Sequence, residues 1–335
     1  MSKVKRIVVT GGAGFIGSEV VNQLVSEGFD VTAVDNLTNG SESNLKDITS
    51  DQFELKTVDI RDTESMRSIL TGADLVFHLA CLGVRHSIHS PMENHEVNAT
   101  ATLELLRLAR SLEVERFVYV SSSEVYGTAI SVPQPETHPT LPMTVYGASK
   151  LAGECYTRAY HRTYDYPTTV VRPFNTYGPR CHHEGDSGEV IPKFLLRAMT
   201  NEPLIVFGDG EQTRDFTYVS DTAAGIIKIG FSDATIGETI NLGYGEELSI
   251  NTLAAEIKSI CSGTQSSIVY ENPRPGDVLR LYADMSKAQS LIGYQPKVSL
   301  GEGLKRLLQW YRDSGRDPVE MLKEESVFNW EQPKS

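Results

Sequence analysis

The sequence lacks any uninterrupted apolar run that approaches the length of a membrane span, for which about 20 consecutive apolar residues are needed. Its first six residues, MSKVKR, lead into a strand pattern rather than into the apolar core of a signal peptide. We therefore expect a cytoplasmic protein that has no membrane partner.

The sequence also has fewer basic than acidic residues. It contains 31 lysines and arginines and 44 aspartates and glutamates, which gives a net charge of −13. This balance opposes non-specific binding to nucleic acid and to anionic membranes. A local cationic pocket for a phosphorylated metabolite is still compatible with it. We expect no nucleic-acid partner.

Four cysteines are few for 335 residues, and Cys81, Cys155, Cys181 and Cys261 have no short paired spacing. Reduced thiols fit such a scatter better than a disulfide framework or a zinc site does. The stretch CHHEGD at residues 181–186 offers several kinds of metal ligand, but sequential neighbours rarely all point at one ion. We predict no metal there and a mobile loop over the substrate instead.

Enough apolar residues are present for a large core, since 40% of the chain is hydrophobic, and we expect one large domain or two intimately joined ones. Short apolar runs alternate with helical patterns through the N-terminal half, as in a doubly wound α/β sheet. After Asn175 the pattern becomes loops interrupted by helices, which predicts a smaller second domain. The predicted strands lie at residues 7–10, 30–34, 54–60, 75–80 and 117–121.

The first predicted strand ends in a glycine-rich turn, GGAGFIG at residues 11–17, and an amphipathic stretch to residue 27 follows. Strand, glycine turn and helix are the context in which a dinucleotide binds, and Gly12, Gly14 and Gly17 fit its fingerprint. Because glycine has no side chain, the backbone can close on a pyrophosphate at the helix N-terminus.

An acidic residue, Asp35, ends the second predicted strand 18 residues after Gly17, where a carboxylate is expected to accept hydrogen bonds from the adenosine ribose. The same charge would repel the 2′-phosphate of NADP. The next residues, Asn36, Leu37 and Thr38, supply no arginine to compensate. The sequence therefore predicts NAD as the cofactor.

Tyr146 and Lys150 lie four positions apart within a helical pattern and so project from the same face of the helix. A free phenol titrates near ~10, which makes it a poor proton acceptor at neutral pH. An ammonium group below the phenol would favour its ionised form and lower its pKa. We predict that Tyr146 is a general base that Lys150 activates.

These features, together with the stretch SSSEVYG at residues 121–127, resemble the extended short-chain dehydrogenase/reductase family, in particular its nucleotide-sugar epimerases and dehydratases. The resemblance extends from residue 7 to about residue 311 and includes the family's variant glycine spacing at Gly11, Gly14 and Gly17. It implies a Rossmann-type doubly wound parallel sheet, bound NAD and a nucleotide-diphosphate sugar as substrate. Helical patterns at residues 101–112 and 151–163 correspond to the family's dimer interface and imply a homodimer.

The resemblance also implies a discontinuous division into domains. Residues 1–174 and about 215–245 would form the NAD-binding Rossmann domain, which a late strand at residues 238–242 rejoins. Residues 175–214 and 246–320 would form a smaller nucleotide-sugar-binding domain. The charged stretch at residues 321–335 is predicted to be a peripheral tail with a frayed end.

The family's cofactor contacts match positions in the glycine turn and at the ends of predicted strands. In the family, the positions of Asp59 and Ile60 bracket the adenine, and that of Asn98 lies near the cofactor. His78, within an apolar run, is predicted to be a packed core residue rather than a catalyst. The matching positions are Gly11, Gly14, Phe15, Ile16, Gly17, Asp35, Asn36, Asp59, Ile60, Leu79, Ala80, Asn98, Tyr146, Lys150 and Pro173.

Three residues would carry the oxidation that the resemblance implies. Ser122 would hydrogen-bond the sugar hydroxyl, Tyr146 would remove its proton while a hydride passes from C4 to the nicotinamide, and Lys150 would also hold the nicotinamide ribose. A 4-keto sugar results. A 4-epimerase then returns the hydride to the opposite face of the sugar, and the motifs at residues 172–180 and 208–216 are similar to those of 4-epimerases.

Glu124 keeps other reactions open. In family dehydratases a carboxylate at this place removes the C5 proton, but Ser123 stands where many of them carry an aspartate acid. Family decarboxylases that act on UDP-glucuronate carry the same Ser-Glu pair, and Glu124 could also simply hydrogen-bond the adjacent turn. We predict a 4-epimerase, with a 4,6-dehydratase, a decarboxylase and a non-catalytic NAD(H)-responsive binding protein as the alternatives.

The predicted substrate contacts include three that match the family's contacts to the diphosphate: Asn175 and two arginines, Arg214 and Arg274. Planar guanidinium groups bind phosphate oxygens in pairs and stay charged. Arg85 lies in a loop that departs from the family's pattern, and it would either touch a substrate anion or remain a surface charge. The full set is Arg85, Ser122, Asn175, Val190, Phe207, Arg214 and Arg274, of which Val190 and Phe207 would frame the base.

Overall fold

The computed structural model describes residues 6–331. Its strands are β1 (Arg6–Thr10), β2 (Asp30–Asp35), β3 (Phe53–Thr57), β4 (Leu75–His78), β5 (Arg116–Val120), β6 (Thr168–Pro173), β7 (Asn175–Tyr177), β8 (Leu204–Phe207), β9 (Thr213–Arg214), β10 (Phe216–Tyr218), β11 (Thr239–Leu242), β12 (Leu248–Ser249) and β13 (Ile268–Glu271).

The α-helices are α1 (Phe15–Ser26), α2 (Thr63–Leu70), α3 (His86–His89), α4 (Pro91–His95), α5 (Ala101–Ser111), α6 (Val145–Tyr164), α7 (Val190–Thr200), α8 (Val219–Phe231), α9 (Ile250–Ile260), α10 (Ser286–Ile292), α11 (Leu300–Asp313) and α12 (Pro318–Leu322). Short 3₁₀ turns lie at Glu42–Leu45, Ser123–Val125 and Asp233–Thr235, and a π-helical turn lies at Glu96–Thr100. Across residues 6–331, none of the helices combines the length and the apolar character that crossing a membrane would require.

Seven strands form a parallel sheet in the order β11-β6-β5-β4-β1-β2-β3. Ile7, Val8 and Val9 of β1 are fully buried, as a parallel sheet with helices on both faces requires. The strand order reverses between β1 and β4, and ligands of such sheets bind at the carboxyl ends of the strands beside this point. The predicted doubly wound α/β sheet is confirmed.

Helix α6, which carries Tyr146, is fixed to the sheet by a buried charge. The carboxylate of Glu154 accepts hydrogen bonds from Arg172 at 2.8 and 2.6 Å and from the hydroxyl of Ser121 at 2.6 Å. Gly153 lets the helix lie close to β5, because a Cβ there would come within 2.3 Å of the hydroxyl oxygen of Tyr119. The helix therefore has little freedom to move relative to the ends of β5 and β6.

A second, smaller core lies beyond β7 and is formed mainly by α7, α9 and α11 with two-stranded sheets. Strand β8 pairs with β13 in parallel and β9 pairs with β12 in antiparallel fashion. The chain then returns to the large sheet through α8, which packs on α1, and through β11, which pairs with β6. The predicted late strand is confirmed, and the domain limits stay a prediction. The side chains buried in the second core include Phe194, Leu195, Leu204, Leu253 and Leu307.

The end of the chain differs from the predicted peripheral, frayed tail. Met321 of α12 is 1% exposed and Asn329 is 3% exposed. The carboxylate of Glu325 lies 2.8 Å from the guanidinium of Arg197 on α7. The charged composition of this stretch concealed the few side chains by which it packs on the second domain, among them Met321, Glu325 and Asn329. Residues 332–335 lie outside the described part of the chain.

Candidate active site

A cleft runs along the carboxyl ends of β1, β4, β5 and β6, between the large sheet and the second domain. Every predicted site residue lines this cleft except Asn98. The strand order explains why residues from distant parts of the sequence meet here, since the carboxyl ends of parallel strands share one edge of the sheet.

The glycine turn forms one wall of the cleft. Gly11 adopts φ +69°, which side chains disfavour, and a Cβ on Gly17 would lie 1.9 Å from the carbonyl oxygen of Gly11. Gly14, the residue before α1, offers no side-chain cap, so the helix N-terminus is left free for a ligand. This cradle, which any Cβ would fill, fits the pyrophosphate of a dinucleotide.

Asp35 ends β2 beside this turn and is 8% exposed. Its two carboxylate oxygens accept hydrogen bonds from the N–H groups of Leu37 at 2.9 Å and Ala13 at 3.0 Å. Burial raises the pKa of the carboxyl, while these backbone hydrogen bonds act in the opposite direction. Each oxygen keeps a lone pair for a ribose hydroxyl, because a carboxylate can accept about four hydrogen bonds.

Asp59 lies at the predicted adenosine end together with an arginine that the sequence analysis missed. Arg61 donates to Asp59 at 2.9 and 2.8 Å, and Asn36 donates to the same carboxylate at 2.9 Å. These hydrogen bonds lower the pKa of Asp59 to about 2. Although residues 36–38 contain no arginine, Arg61 thus lies at the predicted adenosine end of the cleft. Its guanidinium is already paired with Asp59. Its position two residues after Asp59 was the available signal.

Asn98 is not among the residues that line the cleft, and its place near the cofactor stays a prediction. Its amide accepts from the N–H of Leu82 at 2.8 Å and donates to the carbonyl of Leu82 at 2.9 Å and to Asn94 at 3.0 Å. It thus anchors the loop after β4. His78 is packed in the core as predicted, and its ring nitrogens lie within hydrogen-bond distance of two threonine hydroxyls.

Tyr146 lies in the first turn of α6, which Thr144 caps by accepting a hydrogen bond from the N–H of Gly147 at 3.2 Å. Burial raises the pKa of Tyr146 well above its usual range, and the nearby thiol of Cys81 adds to this. The neighbouring Ser122 side chain acts in the opposite direction and lowers the pKa. The structure thus places Tyr146 and Ser122, two of the predicted catalytic residues, in the same cleft.

The direct contacts of Lys150 are to residues other than Tyr146, its predicted partner. Its ammonium donates to the carbonyl of Val120 at 2.6 Å and lies 4.7 Å from the ring centroid of Tyr119. Burial lowers the pKa of this ammonium. The helix does place Lys150 one turn beyond Tyr146, but its hydrogen bond goes to the end of β5.

Glu124 and Glu189 are two half-buried residues whose carboxyls line the cleft. Glu124 was predicted, while Glu189, just before α7, was missed. Burial raises the pKa of both, and the cations of Arg85 and Arg274 oppose that rise. Ser123, buried beside Glu124, contributes only a hydroxyl. The signal for Glu189 was weak: it occupies a helix N-cap position without making a side-chain capping hydrogen bond.

Arg214 and Arg274 converge on one point, as the resemblance implied, but a carboxylate lies between them. Asp277 accepts from Arg214 at 2.7 Å and from Arg274 at 2.8 Å through the same oxygen. Burial acts against the charge of Asp277, yet the two guanidinium groups outweigh it and lower the pKa of the carboxyl. The two guanidinium groups thus share one counter-ion, and their contact to a diphosphate stays a prediction.

Three buried polar atoms of cleft residues have no hydrogen-bond partner within residues 6–331. They are Nε of Arg85, Nδ1 of His86 and Oδ1 of Asn175. Burial, with the charge of Arg274 nearby, lowers the pKa of Arg85 to about 10. Arg85 is therefore a cleft residue and not a free surface charge, and it is available to an acceptor on a ligand.

Side chains of the loop at residues 181–186, which was predicted to be mobile, contact one another and α3. His182 contacts Glu184 at 2.7 Å, and Asp186 contacts His89 of α3 at 3.0 Å. Cys181 is buried in the second core. Within residues 6–331, no group of three or more His, Cys, Asp and Glu side chains is arranged to bind a metal ion.

Val190 and Phe207 lie at the start of α7 and at the end of β8, and both line the cleft. The ring of Phe207 packs against Trp330, with 4.9 Å between ring centroids and an angle of 81° between planes. This contact was not predicted, because nothing in the local sequence links the two residues.

Comparisons with known proteins agree on one family. The GDP-mannose 4,6-dehydratase family matches residues 8–307. The UDP-glucose 4-epimerase of Mycolicibacterium smegmatis is 34% identical over 320 residues, which are 93% of this chain and 100% of that protein. UDP-glucuronic acid decarboxylase 1 of Arabidopsis thaliana is 35% identical over 315 residues, 92% of this chain and 70% of that protein.

Solved structures give the same result. The UDP-glucose 4-epimerase of Thermotoga maritima, crystallised with UDP-glucose, superposes with a TM-score of 0.87 at 35% identity and covers 92% of this chain and 99% of its own. The dTDP-glucose 4,6-dehydratase of Streptomyces venezuelae, solved with NAD bound, has a TM-score of 0.86 at 33% identity and covers 92% and 97%.

Proposed function

The chain belongs to the extended short-chain dehydrogenase/reductase family of NAD-dependent nucleotide-sugar epimerases and dehydratases, and on that premise we propose that it is a nucleotide-sugar 4-epimerase with NAD as its cofactor. The observation that carries the proposal is the pair of Ser122 and Tyr146, which lines one cleft together with Lys150, the glycine turn and Asp35. A protein that only bound NAD would have no use for such a pair beside it.

The proton transfers fall to the side chains of α6 and the β5 end. The phenol oxygen of Tyr146 accepts the proton of the sugar 4-hydroxyl, while the hydroxyl of Ser122 orients the sugar oxygen toward it. When bound, NAD supplies the acceptor for the hydride of C4 and gives that hydride back. Tyr146 then donates the proton to the new hydroxyl. The charge of Lys150, one turn away on α6, favours the ionised phenol, because an opposite charge nearby lowers a phenol's pKa.

We favour epimerisation because it requires no acid or base beyond Tyr146. Ser123 is a buried hydroxyl where a dehydratase would use an acid, and a serine is a far weaker acid than a carboxyl. Relatives at 34% and 35% identity are named UDP-glucose 4-epimerases and are matched over nearly their full length. These points support an isomerase over a lyase.

A 4,6-dehydratase is the second candidate, and one observation favours it. Glu124 and Glu189 both face the cleft with raised pKa values, so an acid and a base other than Tyr146 are at hand. Glu124 would take the C5 proton, and Glu189 would protonate the departing 6-hydroxyl in place of the missing aspartate. The same Glu124 would serve a decarboxylase of a sugar acid.

The test is a product analysis. The purified protein is incubated with UDP-, GDP- and dTDP-linked hexoses and uronic acids without added reductant, and the products are identified by NMR and mass spectrometry. We expect a product of unchanged mass that is inverted at C4. Loss of water would replace the proposal by the dehydratase, and loss of carbon dioxide would replace it by the decarboxylase.

Two variants make the assay discriminating. Glu124→Gln keeps the size of the side chain and removes its basicity, so an epimerase should retain turnover and a dehydratase should lose it. Tyr146→Phe should stop either reaction. If the wild-type protein binds NAD yet converts none of these substrates, the result would favour a non-catalytic NAD(H)-responsive binding protein over an enzyme.

We also propose that the chain forms a homodimer through α5 and α6. Leu103 on α5 is 38% exposed and Tyr164 on α6 is 48% exposed, although both helices otherwise bury apolar faces. Light scattering on the wild type should give twice the chain mass. Leu103→Glu should give the monomer mass, and a wild-type monomer would contradict the proposal.

A further inference from the structure

The segment at residues 324–330 lies beyond the region that the family shares, because the family match ends at residue 307. It is nonetheless ordered by specific contacts to the second domain. The ammonium of Lys193 donates to the carbonyl of Ser326 at 2.7 Å, and the buried carboxylate of Glu325 pairs with Arg197. These contacts fix the segment to α7, the helix that Glu189 precedes.

From this anchorage the segment supports the loop that forms the sugar-facing wall. The amide of Asn329 donates to the carbonyls of Gly188 at 3.0 Å and Asp186 at 3.3 Å, and the N–H of Gly185 donates to the carbonyl of Glu324 at 3.0 Å. Such buried carbonyls are costly to leave without donors. The loop they belong to contributes His182, Asp186, Ser187 and Glu189 to the cleft.

The segment also packs against the predicted base-framing residue. Phe207 lines the cleft, and its ring contacts the rings of Trp330 and Phe328, with centroid distances of 4.9 and 6.0 Å. Phe328 and Trp330 in turn contact each other at 5.6 Å. Neither of these two lines the cleft itself. They therefore limit the orientations of Phe207 from behind, as edge-to-face aromatic packing does.

We propose that residues 324–330 are a positioning element of the nucleotide-sugar site, in which Asn329 sets the loop that carries Glu189 and Trp330 sets the ring of Phe207. The proposal rests on the proposed function only for the identity of the ligand. None of these side chains touches the reacting atoms, so they are positioning residues. Their loss should weaken binding of the nucleotide part while leaving the dinucleotide site unchanged.

The first test uses fluorescence. The chain has two tryptophans, Trp310 and Trp330, so Trp310→Phe leaves Trp330 as the only reporter. The variant, with NAD bound, is titrated with UDP, GDP and dTDP while calorimetry measures binding in parallel. We expect a saturable change in Trp330 emission with the diphosphate that binds. Calorimetric binding without any change in emission would overturn the proposal.

The second test separates positioning from stability. Asn329→Asp has the same shape but lacks the N–H donors, and we expect it to raise the Kd for the nucleoside diphosphate, and the KM for the sugar, by about tenfold, the equivalent of one lost hydrogen bond. NAD affinity should change less than about twofold on the same scale. The matched control is Glu331→Gln, two positions further along the chain, because the side chain of Glu331 is exposed.

Each result has one meaning. A lower melting temperature with unchanged KM and Kd would make the segment merely structural and would overturn the proposal. Should Asn329→Asp fail to fold, Trp330→Leu provides the same comparison through Phe207. Because diphosphate binding is measured without turnover, a protein that binds UDP but epimerises no sugar would refute the proposed function and leave this inference standing.

Discussion

The two halves of the cleft are built in different ways. The half predicted to bind the cofactor is made largely of backbone at the ends of neighbouring strands, whereas the half predicted to bind the sugar is made of charged side chains from distant segments. We call them the cofactor half (residues 11–17, 35–36, 59–61 and 79–80) and the sugar half (Arg85, Glu124, residues 182–190, Arg214 and residues 274–277).

This difference determines how each half tolerates change. In the cofactor half the decisive quantity is space, since a single Cβ at Gly17 would meet the carbonyl of Gly11 at 1.9 Å. In the sugar half the decisive quantity is charge, since the half-buried carboxyls of Glu124 and Glu189 oppose the cations of Arg85 and Arg274. Substitutions in the cofactor half should therefore act through overpacking, and substitutions in the sugar half through altered charge.

The largest effect is expected where the halves meet, at Tyr146. Tyr146→Phe removes the proton acceptor and keeps the ring, so turnover should fall by about 10³-fold while binding of both ligands is kept. The measurement is kcat beside the Kd values for NAD and the nucleoside diphosphate. Tyr160→Phe, on the same helix but outside the cleft, should behave like the wild type. Full turnover in Tyr146→Phe would remove the phenol from the mechanism.

The next effect should be confined to the cofactor half. Gly17→Ala forces its Cβ against Gly11, and overpacking of about 3 kcal/mol would weaken NAD binding by about 100-fold. Binding of the nucleoside diphosphate should remain. Gly301→Ala is the control, because a Cβ there meets nothing within 4 Å. Equal losses of both ligands would show that the halves are not independent.

A reciprocal change tests the sugar half. Arg214→Gln leaves Arg274 and Asp277 in place but removes one charge from the diphosphate site, and KM should rise by about 30-fold, equivalent to about 2 kcal/mol. NAD affinity should stay constant. Arg280→Gln removes a comparable but exposed ion pair with Glu247 and should have little effect. A drop in NAD affinity with unchanged KM would contradict the assignment of Arg214.

The cofactor half was predictable because its signals are local. The glycine turn and Asp35 follow predicted strands directly, and the strand order then brings them together. Asn98 shows what a local signal leaves out: it matches a cofactor position of the family, and its amide also hydrogen-bonds the loop after β4. Arg61 was not predicted because it follows β3, whereas the expected position for an arginine was directly after β2.

The sugar half was predictable only in part, since its partners meet through the fold. Arg214 and Arg274 were found by resemblance, yet the Asp277 carboxylate that joins them was not given a role. Glu189 carries no motif of its own. Asn329 donates to Asp186, a contact across 143 positions that no local pattern predicts. Composition alone made the end of the chain look like a frayed tail.

The smallest expected effect concerns the core beneath the cofactor half. His78 is buried between Thr10 and Thr102, and burial lowers its pKa to about 3. The ordinary value is near ~6.5, so below that pH the unfolded chain binds a proton that the folded chain refuses. The stability from a neutral His78 is thus complete above pH ~6.5 and is lost as the pH falls toward the folded pKa.

Urea unfolding at pH 7.5 and 5.5, with NAD at one saturating concentration, measures this loss. The step should cost the wild type about 1.4 kcal/mol through His78, one pH unit below the unfolded pKa. His78→Gln should be less stable at both pH values yet lose less between them, while His95→Gln, exposed on α4, should keep the wild-type loss. An unchanged pH dependence in His78→Gln would mean that other groups destabilise the cofactor half in acid. A reduced pH dependence would show that the pH sensitivity of the cofactor half arises in the sheet beneath it, at His78, and not at its ligand surface.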